Sequence, residues 1–151
     1  MTDPVYFYSK TTAWHELSNF APFGFAEDGA YWPTVEHYFQ AQKFPGAENA
    51  AYREKIRKVK TPKEAKALGR TRSIAIRPDW EEVKDGIMLA ALRKKFAAAK
   101  LRDLLLSTGD RPLVEASPSD YYWGCGRSGT GKNRLGELLM QTRAELRAPG
   151  V

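Results

Sequence analysis

The chain has 151 residues, the length of one ordinary domain and enough to bury roughly two-thirds of its unfolded surface. With 42% hydrophobic and 28% charged residues it has the balance of a folded protein, which excludes disorder, and no apolar run approaches the ~20 residues of a membrane span. The start, Met1-Thr2-Asp3-Pro4, has no charged segment leading into an apolar one, so a cytoplasmic protein is expected.

A net charge of +6 favours a polyanionic ligand, although much of the positive charge lies between Arg53 and Lys66 and between Arg93 and Arg102, where solvated helix faces explain it. The single cysteine, Cys125, cannot form an intramolecular disulfide, and two histidines offer no spaced set for structural zinc, so no metal is expected.

In chain order, Val5 to Tyr8 is a short run of β-formers. Gly24 to Trp32 reads as two strands around a Glu27-Asp28-Gly29 turn. A first helix is predicted over 34–44, ended by Pro45-Gly46, and a second over 47–59. Thr61-Pro62-Lys63-Glu64 places a hydroxyl at an N-cap, proline at the first helical position and glutamate at the third, with Gly69 as a stop.

Asp79-Trp80-Glu81-Glu82 opens a long helix in which Trp80, Val83, Ile87, Ala91 and then Met88, Leu92, Phe96 recur at core spacing. Leu101 to Leu106 continues as helix or turn, Leu113 to Ala116 is a short strand, and Leu135, Leu138, Leu139, Thr142 and Leu146 share one face of a last helix. No repeat, linker or regular βαβ alternation is present, so one domain over 1–151, with its core in about 5–147, is expected to be α+β, compact and predominantly helical.

Glu36, Gln40 and Lys43 fall at i, i+4 and i+7 of the first helix, so a carboxylate, an amide and an amine share a stripe beside the apolar Val35 and Phe39. Facing a cleft, Glu36 can act as acid or base and Lys43 as cation or nucleophile. By spacing alone the default is a solvated Glu-to-Lys face. His37, between aromatic residues, reads first as a structural histidine. Trp14, Trp32, Trp80 and Trp123 read as core or rim, with Trp123 beside Gly124 leaning toward ligand stacking. Asn19 reads as a loop cap.

Gly126 to Asn133 nearly matches the phosphate loop GxxxxGK[ST] and opens a helix. Asn133 replaces the magnesium-binding hydroxyl, and no buried strand precedes the loop. A glycine turn whose amides and Lys132 hold a phosphate or line a pocket is the stronger reading, with a plain turn as the alternative.

Taken together, Phe7-Tyr8-Ser9, Leu17-Ser18-Asn19-Phe20, the run from Trp32 to Phe44, Ala67-Leu68-Gly69-Arg70, Trp123-Gly124-Cys125-Gly126 and Gly131 to Gly136 resemble, in order, the motifs of the NADAR (YbiA-like) domain family over about residues 5–147. That resemblance implies the YbiA-like fold and an N-glycosidase without metal or cofactor. Its substrate would be a phosphorylated ribose joined through nitrogen to a base: an early ribosylamino-pyrimidine intermediate of riboflavin synthesis, or ADP-ribose on guanine, free or in nucleic acid. It also implies Glu36 as the catalytic carboxylate, Lys43 as a lysine able to form a Schiff base with the sugar, and Asp120 as a further catalytic candidate. Asn19, Trp32, Gln40, Trp80, Trp123, Gly124 and Asn133 become pocket candidates, with Arg70, Arg72 and Lys132 as phosphate ligands. A binding module for ADP-ribose or a related nucleotide, without catalysis, is the competing reading; a phosphate-loop hydrolase is the third.

Overall fold

The computed structural model describes residues 3–10 and 13–148. Strand β1 (Val5–Phe7) buries alternate residues and pairs in parallel with β4 (Leu113–Glu115), with Val5 opposite Leu113 and Phe7 opposite Glu115. Strands β2 (Phe25–Glu27) and β3 (Ala30–Trp32) form the expected antiparallel hairpin. Its turn needs two left-handed residues, supplied by Asp28 at φ 53° and Gly29 at φ 76°.

Helices α1 (Val35–Ala41), α2 (Ala50–Lys58), α3 (Pro62–Leu68), α4 (Trp80–Lys95), α5 (Ala99–Ser107) and α6 (Arg134–Arg147) supply most of the regular structure, so the α+β, helix-dominated class holds. The buried apolar residues of strands and helices form one connected cluster, from Val5 and Phe7 to Leu138 and Leu139. Among the described residues, no helix is long and apolar enough to cross a membrane.

Helix α1 sits in the middle of this arrangement, packed against α2, α3, α4 and β3, and all seven of its residues are buried. Its start falls one residue past the predicted 34, because Thr34 caps it: the Thr34 hydroxyl accepts from the His37 amide at 3.1 Å, while the Glu36 amide donates to the Asn19 carbonyl at 3.2 Å. Its end comes earlier than predicted. The helix closes at Ala41, and the Lys43 and Phe44 amides bond back to Gln40 and Ala41 as tighter turns. Two causes converge. Pro45 disfavours helical backbone at Phe44, and the Lys43 carbonyl accepts from the Arg77 amide at 2.9 Å, outside any helical ladder. Glu36 and Gln40 therefore ride on the helix, and Lys43 on the turn that follows.

Other boundaries keep close to expectation. Thr61 caps α3, with Pro62 first in the helix and the Glu64 carboxylate accepting from the Thr61 hydroxyl at 2.9 Å. The second predicted helix opens with a 3-10 turn, Ala47–Asn49. Asp79 precedes α4 but does not cap it, because its carboxylate binds Arg77 at 2.6 and 3.0 Å. Along α4, Lys95 is wholly buried and donates to the Ser18 carbonyl at 3.0 Å, tying the loop that carries Asn19 to the helix; burial lowers this amine to about 7 against the pull of Glu16.

Candidate active site

On the α1 wall, Glu36 and Gln40, 7% and 4% exposed, are joined by a hydrogen bond of 2.6 Å from Gln40 Nε2 to Glu36 Oε2. The amide can lie there because residue 69 is glycine: a Cβ at that position would overlap Gln40 Oε1. Burial raises the Glu36 carboxyl above its ordinary value, opposed by the Gln40 bond and by Lys66 and Lys43, with Asp120 adding to the rise. Lys43 moves the other way. Burial lowers its amine, Arg70, Lys66 and Lys84 lower it further, and Glu36 opposes them. Its Nζ donates to the Gly69 carbonyl at 3.3 Å and stands 5.8 Å from the centre of the Trp80 ring.

His37 points away from this chemistry. Its Nε2 lies 2.9 Å from the Val59 carbonyl, which can only accept, so Nε2 carries the proton and Nδ1 accepts from the Thr34 hydroxyl at 2.8 Å. Burial lowers its pKa. The histidine is a structural bridge from α1 to the end of α2.

The opposite wall comes from the end of β4 and the loop after it. Glu115 is held by its backbone: its amide donates to Asn133 Oδ1 and its carbonyl accepts from the Cys125 amide, both at 2.9 Å. Its Oε2 is buried without a hydrogen-bond partner in the protein. Burial raises this carboxyl to about 7, helped by Asp120 and Glu36 and opposed by Lys66. Asp120 caps the following turn, with Oδ1 accepting from the Tyr122 and Trp123 amides at 3.0 and 2.8 Å. The loop is anchored to α4 where the Tyr122 hydroxyl donates to Asp85 at 2.6 Å.

Between the walls lies a cavity of about 600 Å³, within the usual range for small-molecule sites. Glu36, Lys43, Asp120, Asn19, Gln40, Arg70, Trp80 and Trp123, all expected from the sequence, line it. Phe39 links the aromatic surfaces, 4.9 Å from Trp80 and 5.4 Å edge-on from Trp123. Inside, Asn19 Oδ1 and Gln40 Oε1 are buried without protein partners. Among the described residues, no group of three or more His, Cys, Asp or Glu is placed to hold a metal ion.

Five expected residues lie elsewhere, each for a physical reason. Trp32 is sealed in the core, edge-on to Tyr38 at 5.5 Å. Arg72 is exposed on the segment after α3 and lines no part of the cavity. Lys132 is also exposed, its Nζ 5.5 Å from the centre of the Tyr122 ring. Asn133, left-handed at φ 52°, spends its side chain on Glu115 N and the Leu113 carbonyl. Gly124 is buried, and a Cβ there would come within 2.7 Å of Glu115 Oε2, so it makes room for a carboxyl instead of touching a ligand. The glycine turn is no phosphate cradle: its Gly129, Gly131, Lys132 and Asn133 amides are committed to carbonyls at 126, 125, 121 and 124.

Glu115, Lys63, Lys66 and Lys84 line the cavity without having been singled out. Lys63 and Lys66 fall at i and i+3 of α3 and Arg70 on the turn just after it, a signal present in the spacing. Glu115 had only its place within a predicted short strand.

An α+β fold closing over one cavity of carboxylates, lysines and indoles has known counterparts. Residues 6–147 match the model of the NADAR domain, and the chain belongs to that family. It is 48% identical over 144 residues to the N-glycosidase Npun_R5314 of Nostoc punctiforme, covering 95% of this chain and 92% of that protein. It is 50% identical over 143 residues to the N-glycosidase YbiA of Escherichia coli, covering 94% and 88%. An NMR structure of E. coli YbiA superposes with a TM-score of 0.86 at 49% identity, over 97% of this chain and 86% of that one. The chloroplastic riboflavin biosynthesis protein PYRR of Zea mays is 43% identical over 158 residues, matching 96% of this chain and 25% of its own length.

Proposed function

We propose that this cavity hydrolyses the bond between the anomeric carbon of a phosphorylated ribose and the nitrogen of a base. The chain is an N-glycosidase, as its relatives at about half identity over nearly their whole length are named. The observation that carries the reading is the meeting of Glu36 and Lys43 in one cavity, each driven by burial toward its neutral form and each restrained by the other's charge. Departure of the base builds positive charge on the sugar, which the Glu36 carboxylate stabilises while Gln40 fixes its direction. An unprotonated Lys43 attacks the anomeric carbon and the bond to the base nitrogen breaks, its electron pair passing to the base; the ring bond to O4' then opens, O4' taking that electron pair and a proton from the lysine nitrogen, and water hydrolyses the resulting Schiff base to free the lysine. Trp80 and Trp123 offer faces for the base, and Lys66, Arg70 and Lys84 cations for phosphate.

The substrate is a small nucleotide-like molecule. The cavity volume and the riboflavin-pathway relative favour an early ribosylamino-pyrimidine phosphate, with ADP-ribosylated guanine, free or in nucleic acid, as the other arm of the assay. A cytoplasmic setting suits the unpaired Cys125. Offering both substrates to purified protein and following base release by chromatography tests the reading. Glu36→Gln and Lys43→Ala should each abolish release while the fold persists by circular dichroism, and borohydride during turnover should trap sugar on wild-type protein but not on Lys43→Ala. Full release by both variants would sink it.

A further inference from the structure

The base cannot leave as a bare anion. A nitrogen departing from a ribosylamine carries away an electron pair and needs a proton as the bond breaks, so the site requires an acid distinct from the groups that handle the sugar. The α1 wall is poorly supplied with one: Glu36 already accepts a hydrogen bond from Gln40 and faces Lys43 and Lys66.

We propose that Glu115 is the proton donor to the departing nitrogen, a catalytic residue facing Glu36 across the cavity; this rests on the N-glycosidase reading above. Four observations support it. Glu115 lines the cavity. Its backbone is fixed on both sides, by Asn133 and by the Cys125 amide. Its Oε2 is buried with no protein partner, in a space that exists because residue 124 is glycine. The charged groups acting on it are two carboxylates, Asp120 and Glu36, against one ammonium, Lys66, so with burial they hold its proton to about pH 7.

The step balances within the cavity. As the carbon–nitrogen bond breaks, its electron pair goes to nitrogen and the Glu115 O–H proton follows. The water that completes hydrolysis gives its oxygen to the sugar carbon and returns a proton to the Glu115 carboxylate. Neither an oxidant nor a co-reactant is required.

Glu115→Gln keeps the shape and removes the transferable proton. Assayed on a ribosylamino-pyrimidine phosphate, this variant should lose about 10²–10³-fold in kcat with KM within about twofold of wild type. Wild-type kcat should fall as pH rises above about 7, and that alkaline limb should vanish in Glu115→Gln but persist in Glu115→Asp, which still carries an acid. Unchanged kcat in Glu115→Gln, or a loss that leaves the alkaline limb in place, would overturn the assignment, a melting temperature near wild type showing that the variant is folded. If wild-type protein itself releases no base from any ribosylated substrate, the reading beneath the proposal falls with it, a result visible before any variant is made.

Discussion

The two walls of the cavity hold carboxyl groups by opposite means. On α1, Glu36 is surrounded by compensation: an amide donor at 2.6 Å and two lysines that favour its charged form. At the end of β4, Glu115 has its backbone pinned while its carboxyl is left against two other carboxylates and a single lysine. Burial raises both carboxyls, but at Glu36 an amide and two lysines oppose the rise, whereas at Glu115 a single lysine does. In the proposed reaction that difference suits Glu36 to the developing cation and Glu115 to the proton.

The contrast can be tested from its largest consequence downward. Removing either partner on the α1 side, by Glu36→Gln or Lys43→Ala, should cost about 10³-fold or more in base release, because groups that act as a unit fail together. Next come the two glycines that make room for the side chains. Gly69→Ala meets no backbone strain, since φ there is −67°, but it drives Gln40 off Glu36. It should cost about 10–100-fold in kcat and move the acidic limb of the pH profile upward, as the carboxyl loses its donor. Gly124→Ala should displace Glu115 and alter the alkaline limb instead. If both substitutions shifted the same limb, the division between the walls would fail.

Stability supplies a smaller effect of definite sign. The folded protein holds the Glu115 proton to about pH 7 against an ordinary 4.5, so stability attached to that group is full below about 4.5 and declines as pH rises through about 7. Glu115→Gln should therefore match wild type in urea unfolding at pH 4 and exceed it at pH 8, by up to about 3 kcal/mol. Smallest is Asn133→Gly, which keeps the left-handed turn but loses two hydrogen bonds to β4. It should cost about 1–2 kcal/mol by the same measurement and, because one of those bonds pins the Glu115 backbone, lower base release by a few-fold at most.

Much of this molecule was legible where the instruction is local. Thr61 announces the cap of α3, Asp28-Gly29 the hairpin, and the leucines of α6 their buried face. What was not legible depends on distant partners. Helix α1 stops at Ala41 partly because an amide 34 residues beyond Lys43, that of Arg77, takes the Lys43 carbonyl. Trp32 and Asn133 carry the residue types of a binding site but are consumed by the core and by β4. Arg72 and Lys132 have the right charge and the wrong position. Glu115 was passed over because a carboxylate closing a three-residue strand has no periodicity to mark it, and its surroundings arrive from α1 and from the loop at 120.

The early end of α1 divides labour between a stiff mount and a compliant one. Glu36 is seated on a rigid rod enclosed on all sides, so its oxygens stay at a fixed point while the reaction proceeds. Lys43 hangs beyond the rod on a stem with four rotatable bonds. In the proposed reaction the sugar carbon moves as it is handed from base to lysine to water, and the amine can follow that travel without dragging the carboxylate along.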